Sequence, residues 1–95
     1  MTIFKLLDLV ESGNTAAFLF GQKKRSLYIE LHGLQCGYFT KKIDFELYLT
    51  DEYRHEFVID LLTSSVYPSA KQENHVVICS KEGEKLGYVE MYEVD

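Results

Sequence analysis

The chain is poor in the residues that mark several protein classes. It has two cysteines, Cys36 and Cys79, among ninety-five residues. A secreted domain of this size ordinarily carries more, as a disulfide framework; two cysteines leave open at most a single bridge. One proline and six glycines exclude collagen-like and low-complexity chains. Tryptophan is absent, so the large side chains of the core must come from seven tyrosines and six phenylalanines. No stretch approaches the roughly 20 consecutive apolar residues that span a bilayer. The first residues, Met1-Thr-Ile-Phe-Lys5, lack the basic flank, apolar run and small-residue cleavage site of a secretory leader. The expectation is a cytoplasmic protein without a membrane anchor.

Positive charge is also scarce. Ten bases face fifteen acids, for a net charge of −5. The deficit is uneven. Met1 to Phe45 holds six bases and four acids, and Glu46 to Asp95 holds four bases and eleven acids, so the halves carry +2 and −7. Phosphate backbones demand a basic field, so nucleic acid is a disfavoured partner. Lys23-Lys24-Arg25 near Tyr28, with Tyr38-Phe39 and Lys41-Lys42, forms the one basic and aromatic grouping that an RNA would use. A basic protein would instead be drawn to the acidic C-terminal half.

What is present is hydrophobic patterning of a globular domain, and the expectation is one domain over residues 1–95. Ile3, Phe4, Leu7 and Val10 recur at helical spacing behind Thr2, a good N-cap, and Gly13 suits the left-handed helix end. Residues 15–21 are apolar between Asn14 and Gly21 and predict a strand, with residues 22–25 as its turn. Over residues 26–32 Leu27, Ile29 and Leu31 alternate with Tyr28, Glu30 and His32, the pattern of a half-buried strand. Residues 35–42 read as extended. Ile43, Phe45, Leu47 and Leu49 alternate with Asp44, Glu46 and Tyr48 without exception, which makes residues 43–49 the clearest strand by period. A helix is predicted from Thr50 to about Thr63, followed by a loop over residues 64–74. Residues 75–80 are apolar on both faces, as in a central strand, and a hairpin around Gly83 returns as a strand over residues 86–94.

The predicted fold is therefore α+β: one mainly antiparallel sheet of five or six strands with two helices on one face, in the order α-β-β-β(-β)-α-β-β. Two helices cover one side of such a sheet, which leaves the other to tyrosines, acids and histidine.

Catalytic motifs are lacking. There is no nucleophile elbow, phosphate loop or zinc-protease helix. His32, His55 and His75 are scattered. His32-x-x-x-Cys36 and His75-x-x-x-Cys79 repeat one spacing. An extended 75–79 places its ends about 13 Å apart, too far for both to hold one zinc ion. The reading is no enzyme, no cofactor and no metal; a small His/Cys enzyme or metal protein is the remote alternative.

The sites that remain are strand faces where tyrosine interleaves with acid: Tyr28 and Glu30; Asp44, Glu46 and Tyr48; Tyr88, Glu90 and Tyr92. In the last of these the phase is open, because Leu86 and Val94 share the tyrosine side. Tyrosine offers a large contact area, a hydroxyl to bond and little entropy to lose, and so concentrates at binding centres. No stretch carries a family's motif. The function expected is a small acidic inhibitor that docks on a larger basic protein. Its most concrete form, by analogy of build alone, is the immunity protein or antitoxin that neutralises a bacterial toxin or nuclease. The alternative is a homodimer or assembly subunit that pairs the same face with a copy of itself.

Overall fold

Thr2 starts the first helix as its position suggests. Its backbone is extended and its hydroxyl accepts a hydrogen bond from the Lys5 N–H at 3.2 Å. In the computed structural model, which describes residues 1–13, 26–52, 55–72 and 74–92, helix α1 runs Ile3–Glu11 and buries Ile3, Leu6 and Leu7. It stops at Ser12 and Gly13, where glycine takes φ +79°.

Five strands follow: β1 (Ser26–Leu31), β2 (Leu34–Phe39), β3 (Ser65–Pro68), β4 (His75–Cys79) and β5 (Lys85–Tyr92). They form one sheet in the order β2-β1-β5-β4-β3, and every neighbouring pair is antiparallel. β1 and β2 are joined by His32-Gly33, both at positive φ (51° and 80°). That is the two-residue turn whose twist suits a hairpin. The predicted hairpin around Gly83, at φ +88°, joins β4 to β5. β1 and β5 approach so closely at Gly87 that a Cβ there would lie 2.0 Å from the Glu30 carbonyl oxygen, so only glycine fits the central pairing.

Helices α2 (Lys42–Glu52) and α3 (His55–Leu62) complete the described elements. The core lies between the helices and one sheet face. Ile3, Leu6, Leu7, Phe45, Leu49 and Leu61 meet Leu27, Ile29, Leu31, Val76, Ile78 and Val89, all at most 2% exposed. The fold is thus the expected mixed α+β one, an antiparallel sheet of five strands flanked by helices.

Several local expectations are corrected. Residues 43–49 are helix, not strand. At roughly 100° per residue, Phe45 and Leu49 fall about 40° apart on one side of α2, and Ile43 and Leu47 pair likewise on the opposite side. Alternation over seven residues therefore fits a helix that buries two apolar residues and exposes two. Thr50 lies inside α2 and donates its hydroxyl to the Glu46 carbonyl at 2.9 Å, so it caps nothing. The predicted loop over 64–74 contains β3. Val66 in that strand is buried and pairs with Ile78, and Pro68 ends it at the sheet edge. β4 is interior, between β3 and β5, with Val76 and Ile78 buried. The expected strand over 15–21 and its turn lie outside the described residues, as do the last three residues of the chain.

Candidate protein-docking face

The sheet face turned away from the helices collects the tyrosines. β1 alternates, so burying Leu27, Ile29 and Leu31 sends Tyr28 and Glu30 to the opposite side. In β5, burial of Val89 and Met91 settles the phase that the sequence left open and places Tyr88, Glu90 and Tyr92 beside them. Strand register then builds two rows. Tyr38, Tyr28, Glu90 and His75 run across β2, β1, β5 and β4; Glu30, Tyr88, Val77 and Tyr67 run across β1, β5, β4 and β3.

The rings form a continuous layer. Tyr28 lies 5.2 Å from Tyr38, 6.1 Å from Tyr88 and 6.4 Å from Tyr92 between centroids, and Tyr38 lies 5.5 Å from Tyr92. Most pairs are tilted or edge-on, the geometry that the ring quadrupoles favour. His75 stacks on Tyr88 at 4.5 Å and 16°. Tyr38 is 63%, Tyr67 56% and Tyr92 40% exposed, so three rings offer broad surface while Tyr28 and Tyr88 are half-buried supports.

The two carboxylates bind their neighbours' hydroxyls. Tyr92 donates to Glu90 Oε2, and Tyr88 hydrogen-bonds Glu30. The bond to Glu90, then burial, then the negative charge raise the Tyr92 phenol to about 12. The Glu30 bond, burial and charge push Tyr88 far above the ordinary tyrosine range. Tyr28 is raised by burial first and by Glu30 second. Such phenols stay protonated at neutral pH. They are donors and contact surface, unsuited to act as nucleophiles or bases.

Asp44, Glu46 and Tyr48 do not join this face. They lie on α2 in the helical layer, because residues 43–49 are helical. Asp44 and Glu46 are exposed. Tyr48 is half-buried against the core with its ring 5.6 Å from Phe39. Three residues of the face escaped the sequence reading. Tyr67 fell in the expected loop, although Ser-Val-Tyr-Pro is β-prone and ends in an edge-strand proline. Tyr38 was grouped with basic residues, and His75 with cysteine; only register brings either beside Tyr28 or Glu90.

No protein-family model, curated protein or solved structure matches the chain.

Among the described residues, the other groupings do not gather into one site. His32 is a turn residue, and Cys36 is buried in β2. Lys42 opens α2 and pairs with Asp8 at 3.3 Å, away from Tyr38. Lys23, Lys24 and Arg25 lie outside the described residues. Among the described residues no three His, Cys, Asp or Glu side chains gather as a metal site requires. Among them, too, no helix is long and apolar enough to cross a membrane. The helical side holds an open groove of about 730 Å³ between α1 and α2, lined by Lys5, Asp8, Glu11, Lys42 and Glu46 among others. The Lys42 ammonium and its backbone N–H are already engaged there by Asp8 and Glu11.

Proposed function

We propose that the chain is a protein-binding domain that inhibits a larger, basic protein by occlusion, with the tyrosine–carboxylate sheet face as its docking surface. The observation that carries this reading is the layer of Tyr28, Tyr38, Tyr88 and Tyr92 around Glu30 and Glu90, with Tyr67 on the same face at the sheet edge and three rings well exposed. A solvated face needs no such concentration of rings, whereas an interface centre does. The carboxylates and the −7 charge of residues 46–95 set the partner's sign. Arginine is the side chain that fits best, since its planar cation stacks on tyrosine and pairs with carboxylate. Five strands at roughly 4.8 Å spacing span about 20 Å. An interface of ~800 Å² per partner would take the whole face and its rim. An immunity protein or antitoxin against a bacterial toxin or nuclease remains the most concrete form, and it acts without chemistry of its own.

The test starts from a stoichiometric partner co-eluting with the native chain and identified by mass spectrometry. Tyr38→Ser and Tyr67→Ser should each weaken its binding by about 1–2 kcal/mol with unchanged thermal unfolding, and Glu90→Lys should slow association. Asp44→Lys and Glu46→Lys, on the helical side, should change affinity little. An acidic partner, or affinity lost only through the helical variants, would overturn the reading. A self-associating chain that the tyrosine variants render monomeric would replace it with the homodimer.

A further inference from the structure

His75 lies on the tyrosine face, opposite Glu90 in the β4–β5 register. Its side chain is 12% exposed. Its Nδ1 is buried without a hydrogen-bond partner and lies 3.7 Å from Glu90 Oε1. The other oxygen of the same carboxylate accepts from Tyr92. The stack on Tyr88 fixes the imidazole plane, so Nδ1 stays aimed at Glu90. Among the described residues, the titratable groups facing the same side are Glu90, Tyr88, Tyr92 and Lys85 from β5, Glu30 and Tyr28 from β1, Tyr38 from β2, Tyr67 from β3 and Cys79 at the end of β4. Among the described residues, Glu90 stands within salt-bridge reach of the ring.

We infer that His75 is a proton-controlled neutraliser of the docking face: when protonated it closes Nδ1–H onto Glu90 Oε1 and cancels one of the two carboxylate charges that a basic partner meets. This rests on the docking reading for its consequence, though not for its chemistry. The buried nitrogen explains why the pairing is switchable. A neutral ring leaves a poorly satisfied buried atom beside an anion; a protonated ring turns the same geometry into a charge-assisted hydrogen bond. Histidine is the side chain that takes up a proton most readily on mild acidification, so the geometry gives the face a neutral-ring state with both carboxylate charges free and a protonated-ring state with one of them paired. Inhibition would be released on mild acidification.

Two measurements separate the switch from the docking. In the free protein, NMR from about pH 5 to 8 should show the Glu90 carboxylate carbon shifting with the same midpoint as the His75 ring nitrogens. In His75→Gln that shift should vanish. A Glu90 resonance indifferent to His75, or unchanged in the variant, would overturn the inference. Binding is then read with an arginine-rich nonapeptide at low ionic strength. The wild-type chain should bind it about fivefold more weakly at the acidic end. Glu90→Gln, which keeps the imidazole and its stack, should bind with the same weak affinity throughout. Fivefold weakening that persists in Glu90→Gln would overturn the switch. Coupled NMR titration with no peptide binding at either pH would sink the docking reading and leave the His75–Glu90 pairing standing.

Discussion

Phe45 has no exposed surface, and its ring lies 5.1 Å from Phe39 and 6.0 Å from Phe4. Two residues further on, Leu47 is 54% exposed. A strand over 43–49 would bury both alike, so the pair discriminates between the two conformations. Phe45→Ala should cost about 3–5 kcal/mol in urea denaturation, and Leu47→Ala no more than about 0.5 kcal/mol. The tyrosines supply a second check at this scale. Tyr92 and Tyr88 ionise more reluctantly in the folded chain than the ordinary value of 10.0, Tyr92 at about 12. An acid whose folded value is raised contributes stability that is complete below its unfolded value and lost as pH climbs toward the folded one. The urea midpoint should hold to about pH 9 and then fall through about pH 10 to 12. Glu90→Gln should bring Tyr92 ionisation, followed by ultraviolet absorbance, back toward 10.

The elements show which signals survive folding. Helix α1 was legible because cap, period and terminal glycine agree, and the β4–β5 hairpin because Gly83 sits between two apolar runs. α2 was misread because Ile43, Phe45, Leu47 and Leu49 satisfy a period of two along the chain and, on a helix, resolve into two opposite pairs. Phe45 then seats against Phe4 and Phe39, a contact no local window contains. Another long-range contact anchors the helix start. The Lys42 N–H donates to the Glu11 carboxylate at 3.1 Å, where an anion also meets the positive end of the helix dipole. Glu11→Ala should therefore lower stability by about 0.5–2 kcal/mol in thermal unfolding. Asp8→Ala, which removes an ion pair that is well exposed on both sides, should change it by less than about 1 kcal/mol. In the site, Tyr28-x-Glu30 was legible from alternation, and Tyr88-x-Glu90-x-Tyr92 as a candidate whose facing only the burial of Val89 and Met91 settled. Tyr38, Tyr67 and His75 were not, since strand order and register are long-range properties.

At the scale of the whole molecule, charge and shape act together. An acidic chain with carboxylates set among tyrosines should meet a basic partner quickly at low salt. Raising sodium chloride from about 0.05 to 0.5 M should slow association at least about tenfold in stopped-flow measurements, and change dissociation far less, because rings govern residence and charges govern encounter. By itself the sequence determined the α+β class, the alternation of β1, the presence of a strand at β5, the first helix and the acidic balance. Each follows from composition or from contacts a few residues apart. The tertiary structure alone decided that residues 43–49 coil, that β5 lies at the centre of the sheet, and that His75 meets Glu90. Those outcomes turn on which apolar surfaces bury one another across the chain, and short periods are blind to that competition.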